Sequence, residues 1–202
     1  MNRKIAVLAM LSPLWFVSVY LALSALRPEY SHLTKAISEL GSVDAPRAWA
    51  WNIFGYIIPG IIVGLLGHGM GKRFANQAGV GLVSLALISA GLFMALSGFF
   101  PGDFDNRTSA TMLMHTIGSL GTFMAFLVAA FSLPRLLGQT ARWRPFLWPS
   151  LILAIGSIVT GFLRTGDAPG LGQRLGFACF FLWTALIGYA LYRDPDRVER
   201  AA

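Results

Sequence analysis

The sequence predicts an all-α integral membrane protein, a single six-helix bundle over residues 1–202 with a short amphipathic helix in its first extracytoplasmic loop. Three observations carry this. The chain is 55% hydrophobic and only 12% charged, about half the charge of a soluble globular protein. The charges are confined to short stretches between long apolar runs. Six of those runs approach or exceed the ~20 residues that a helix needs to cross a bilayer.

The runs are Ile5–Leu26, Trp49–Met70, Ala78–Phe100, Thr111–Leu133, Phe146–Leu163 and Leu175–Tyr192, and none contains Asp, Glu, Lys or Arg. The first competes with a secretory signal peptide, since Ala22-Leu23-Ser24 is a weak cleavage match. Its apolar run is too long for a signal core, so it is read as a retained span. In the second, Pro59 is a source of a kink and Gly60 and Gly64 form a small-xxx-small pair. Gly118 and Gly121 on the fourth and Gly156 and Gly161 on the fifth extend the same device. Small residues let helices approach closely in lipid, where hydrophobicity does not drive association. Trp15, Trp49, Trp51, Trp148 and Trp183 fall mostly near span ends, as expected of interfacial aromatics. A faint repeat relates Ser97-Gly98-Phe99-Phe100-Pro101-Gly102-Asp103 to Thr160-Gly161-Phe162-Leu163 with Thr165-Gly166-Asp167, so that spans three–four and five–six read as two copies of one hairpin.

Charge sets the orientation. The N-terminus, second and fourth connections and C-terminal tail hold ten bases against three acids, whereas the other connections hold six against six. The whole net charge of +7 thus lies on one face. By the positive-inside rule that face, with both termini, is cytoplasmic in a cell (inner) membrane. The basic excess is therefore a topology signal, and no nucleic-acid partner is expected. The one cysteine, Cys179, excludes an internal disulfide and a cysteine metal cluster.

Candidate chemistry lies on the outer face. In the loop from Arg27 to Ala48, Tyr30, Leu33, Ile37 and Leu40 recur at helical spacing while Lys35, Ser38 and Glu39 take the other side. Ser31 is placed to cap this amphipathic helix and Gly41 to end it. Asn52 and His115 fall about a turn inside the second and fourth spans, and polar side chains at that depth need partners or a wet cavity. The second loop supplies Asp103, and the third supplies Arg164, Asp167, Gln173 and Arg174. Mutual surface pairing is the plain explanation of these charges. The sharper expectation is one outer-mouth cluster of Glu39, Asn52, Asp103, His115 and Arg174, with Glu39 directed at His115 or Arg174. His32 and His115 share the outer side, but no spacing demands a metal, and none is assigned. No cofactor is expected: HExxH, paired cysteines, G-x-S-x-G, a P-loop and a dinucleotide turn are all absent. No span carries a lysine for a retinal Schiff base or a carboxylate for proton-coupled transport.

Ile37-Ser38-Glu39-Leu40-Gly41, followed by Pro46, Asn52 and Gly55, resembles the first loop and second span of the DUF998 membrane family. Phe100-Pro101-x-Asp103 with His115 downstream, and Gly170-Leu171-x-Gln173-Arg174, resemble it too. A more distant resemblance is to the DRAM/Sfk-type six-span proteins, whose Ile-Ser-Asp-x-Gly motif has Glu39 in place of the aspartate here. The resemblance implies a lipid-related role on the extracytoplasmic side and supplies no reaction. The expected ligand site comprises Ser38, Glu39, Asn52, Asp103, His115, Arg164, Gln173 and Arg174, with membrane lipids as partners. A non-enzymatic lipid-binding or membrane-organising protein is the leading reading. A membrane hydrolase or transferase is the alternative, with Glu39 or His115 as general base and Arg164 or Arg174 holding a phosphate. A small-molecule transporter is third.

Overall fold

A computed structural model describes residues 3–139, 141–163 and 168–193. Among the described residues six helices are long and apolar enough to cross a membrane: α1 (Arg3–Ser24), α2 (Ala48–Arg73), α3 (Val80–Phe99), α4 (Ala110–Gly138), α5 (Arg144–Phe162) and α6 (Pro169–Tyr192). Helices consecutive in sequence are neighbours in space, and α6 closes back onto α1. Large apolar side chains such as Leu14, Leu85, Leu92, Trp148 and Phe162 cover the outside. Trp51, Phe126, Phe181 and Trp183 fill the interior.

The small residues act where the helices cross. A Cβ on Gly60 would stand 2.5 Å from the Gly91 carbonyl oxygen, so α2 and α3 meet backbone to backbone. Gly188 of α6 packs equally closely on Ala6 and Ala9 of α1, and Gly118 of α4 on Ser97 of α3. Gly156 meets only Cys179 Sγ, and Gly161 faces open space.

Pro59 does more than bend α2. Residues Asn52–Ile57 form a π-helical turn in which the Ile58 N–H reaches the Ile53 carbonyl. In that register the next donor is missing, because proline has no N–H. The Phe54 carbonyl is instead satisfied from another helix, by Trp15 Nε1 at 2.9 Å. Trp15, 39% exposed, thus ties α1 to α2 through its indole N–H. Trp51 and Trp183 are fully buried, whereas Trp49 and Trp148 lie exposed near span ends.

The first loop is shorter in helix than its pattern suggested. Its helical part is the 3-10 segment Ile37–Gly41, and residues 25–35 run through turns. Glu39 Oε1 reaches back to the Ala36 N–H at 2.8 Å, and Ser31 Oγ caps a local turn at Thr34 N. Tyr30, Ile37 and Leu40 are buried, but Leu33 is 56% exposed. The loop therefore folds into the end of the bundle instead of floating on it. Arg47 takes a left-handed backbone (φ 60°) to turn the chain into α2.

The last span starts at Pro169, six residues before the apolar run, so Gln173 and Arg174 are helical rather than loop residues. The second half of the sequence repeat, Thr165, Gly166 and Asp167, lies outside the described residues, as does the candidate Arg164.

Candidate functional site

Two polar assemblies occupy the first-loop end of the bundle. The first is centred on Arg174. Its Nε donates to Tyr20 Oη at 2.7 Å, and its Nη2 to Tyr30 Oη at 2.7 Å. Its Nη1 donates to the Lys35 and Gly170 carbonyls, at 2.9 and 2.6 Å. Four of the five guanidinium N–H groups are thereby used by the protein. Both tyrosine rings also lie within cation–π distance of the guanidinium, at 5.3 and 5.5 Å. Tyr30 passes its own proton to the Ala36 carbonyl at 2.9 Å, and burial pushes its phenol well above the usual tyrosine range. Tyr20 Oη pairs with His32 Nδ1. The Gly170 N–H donates to the Leu33 carbonyl at 2.7 Å, which seals the loop to the start of α6. Farther along the loop, Arg27 bonds Glu29 at 2.7 Å, holding that carboxyl below the usual range, and also the Glu39 carbonyl at 2.7 Å.

The second assembly surrounds His115. Its Nδ1 lies 3.0 Å from the Ser97 carbonyl and 2.9 Å from the Phe100 carbonyl at the end of α3. Carbonyls only accept, so Nδ1 carries the proton, and Nε2 of the neutral ring is an acceptor. The Tyr56 ring meets the imidazole edge-on at 5.8 Å. Asn52 is 5% exposed and donates to the Gly41 carbonyl at 3.0 Å. It ties α2 to the loop without reaching His115. Its Oδ1 and the neighbouring Trp51 Nε1 have no partner among the described residues.

Beside His115 is a cavity of about 490 Å³ bounded by α3, α4, α5, α6, Tyr56 and the first two outer loops. Its apolar lining includes Met94, Leu120, Phe123, Phe177 and Phe180. Ser38, His115 and Gln173 line its loop end, and hydroxyls from three spans are interleaved with the apolar side chains. Thr116, Ser119, Leu120 and Gly161 line the cavity and are also exposed on the bundle surface. The cavity therefore opens sideways between α4 and α5, toward lipid. Gln173 Oε1 accepts the Ile37 N–H at 2.6 Å, which holds the 3-10 segment over the top.

The expected single cluster is thus divided. Ser38, His115 and Gln173 come together at the cavity. Arg174 belongs to the loop clamp, where its hydrogen bonds are already made. Glu39 joins neither His115 nor Arg174: its carboxylate bonds Lys35 Nζ at 3.0 Å and the Ala36 N–H, the outcome of its i,i+4 spacing to Lys35. Asp103 caps its own loop through the Asn106 N–H at 2.9 Å. His32 lies with Tyr20 and not with His115. The hydroxyls were missed in the sequence, although Thr116, Ser119 and Thr122 recur every three residues beside His115 and Ser157 and Thr160 do the same on α5. That spacing places polar groups along one helix face.

No curated protein and no solved structure matches the chain. Residues 10–190 match the family described as "Protein of unknown function (DUF998)". A match over nearly the whole bundle, loops and cavity included, makes this multi-pass membrane chain a member of the DUF998 family.

Proposed function

We propose that this protein binds a membrane lipid in the cavity between α4, α5 and α6, as a non-catalytic lipid-binding or membrane-organising component. Ser38, His115 and Gln173 would face the headgroup. The observation that carries the reading is a cavity of about 490 Å³, lined by both apolar side chains and hydroxyls with Ser38, His115 and Gln173 at its loop end, that opens sideways into the bilayer. The volume falls within the usual range of small-molecule sites. Only a molecule already dissolved in the membrane meets such an opening first.

A hydrolase or transferase reading finds less support. The His115 ring is oriented by two carbonyls rather than a carboxylate, and Glu39 is engaged by Lys35. The orientation proposed places the termini and the basic connections in the cytoplasm, with the cavity in the outer half of the cell membrane.

The test is native mass spectrometry of the full chain purified in mild detergent. A retained lipid is expected. Gly176→Leu should lose it while keeping the fold, because a Cβ at Gly176 meets only Thr160 Oγ1, at 3.3 Å, and a longer side chain projects into the cavity. Lipid-free protein, or equal retention by Gly176→Leu, would overturn the proposal.

A further inference from the structure

The threonine hydroxyls of the cavity and Ser157 share one property: their protons are already committed. Thr116 donates to the Met112 carbonyl at 2.9 Å, Thr122 to the Gly118 carbonyl at 2.7 Å, and Thr160 to the Ser157 carbonyl at 3.0 Å. Ser157 donates to the Ala154 carbonyl at 2.7 Å. Ser97, with one proton, lies near the Phe93 and His115 carbonyls at 3.4 and 3.3 Å. Ser97 and Ser119 share a further contact at 3.2 Å in which either hydroxyl can be the donor. Back-bonding to the preceding turn is what hydroxyls do in a helix without water. It leaves oxygen lone pairs as the groups offered to the cavity. His115 adds another acceptor, because Nδ1–H is held by the α3 carbonyls and Nε2 is the remaining nitrogen. Against these stand two sources of protons. The Gln173 amide nitrogen makes no hydrogen bond among the described residues, since only its Oε1 is used. The Ser38 hydroxyl also has no partner among them.

From this inventory we infer that the lipid bound in the cavity is a neutral one bearing a free hydroxyl beside an ester or amide carbonyl, the headgroup pattern of a diacylglycerol. Its hydroxyl proton goes to the acceptor-rich wall of α4 and α5. Its carbonyl takes a proton from Gln173 or Ser38. A phosphodiester brings only acceptors and a phosphomonoester at most a fraction of one proton at neutral pH, so either would face lone pairs on most of the wall, leaving polar groups on both sides unsatisfied. The inference rests on the lipid-binding reading and narrows it to one headgroup chemistry.

The full chain in detergent is titrated with dioleoylglycerol, its O-methyl ether, dioleoyl phosphatidic acid and dioleoylphosphatidylcholine, and thermal stabilisation is followed. Dioleoylglycerol is expected to half-saturate at a concentration at least about fivefold lower than its ether, the effect of one hydrogen bond. The phosphate-bearing lipids should be weaker still. Thr160→Val keeps the side-chain shape and removes the acceptor oxygen. It should weaken dioleoylglycerol severalfold and leave the ether unchanged. Thr116→Val replaces it if Thr160→Val is too unstable to purify. Equal binding of the ether, or tighter binding of phosphatidic acid, would overturn the headgroup assignment. If that binding is also lost in Gly176→Leu, lipid binding in the cavity survives with a different ligand. Stabilisation by none of the four overturns both.

Discussion

At the scale of single residues, Arg174 is the clearest case of a side chain whose role is set by its partners. A lysine at this position retains the charge but not the planar fork that reaches two tyrosines and two carbonyls at once. Arg174→Lys is expected to destabilise the chain by roughly 2–3 kcal/mol, since hydrogen bonds to charged groups contribute about 1.5–3 kcal/mol each and some are recovered. Thermal unfolding in detergent measures this. Tyr30 gives a pH signature. Its buried phenol holds its proton to higher pH than a free tyrosine does. The unfolded chain therefore releases that proton first, near pH 10. Above that pH the native state binds more protons than the unfolded one, so stability falls as pH rises. Comparing Tm between neutral pH and pH 11 should show a smaller loss in Tyr30→Phe than in the parent. Gly41 is a third case, because a Cβ there would lie 2.5 Å from Trp51 Cδ1 and also collide with Asn52 Oδ1. The Ile37-Ser38-Glu39-Leu40-Gly41 motif was legible in the sequence, but the role of its carboxylate was not. Glu39 has a basic neighbour at i,i−4 and a backbone N–H within reach, and local partners outcompete distant ones.

At the scale of elements, α2 shows how one proline reorganises a span and recruits another helix. The π-helical turn leaves the Phe54 carbonyl to Trp15, so Trp15→Phe should lower stability by about 0.6–1.7 kcal/mol, the range of hydrogen bonds inside membrane bundles. An unchanged unfolding midpoint would show that water or a shift of the turn replaces the indole. The α2–α3 crossing is less forgiving. Gly91→Ala brings a methyl group onto the Gly60 backbone, and the two helices must separate. Overpacking of this kind costs typically 1–3 kcal/mol. Gly64→Ala, where a Cβ meets nothing within 4 Å, is the matched control and should be close to neutral. The Gly60 and Gly64 pair was readable as a contact surface from its spacing alone. Which of its members touches, and what it touches, depends on the rotation of α3.

At the scale of the whole molecule, the charge split and the six spans give one global expectation. Reporter fusions after Arg73 and Arg144 should read as cytoplasmic and fusions after Asp105 and Asp167 as external. A cytoplasmic reading at Asp105 would rule out the proposed orientation. The sequence by itself determined the number of spans, their approximate ends and the segregation of charge. These depend on the free energy of placing each segment in lipid or water, which is a sum over local residues. Tertiary structure decided how the polar residues are shared out. Arg174, Tyr20 and Tyr30 meet only because α6 closes against α1, and the hydroxyls become one wall only where α4 and α5 diverge. Hydrogen bonds are short and directional, so the identity of each partner is fixed by helix rotation and crossing, quantities to which hydropathy is blind.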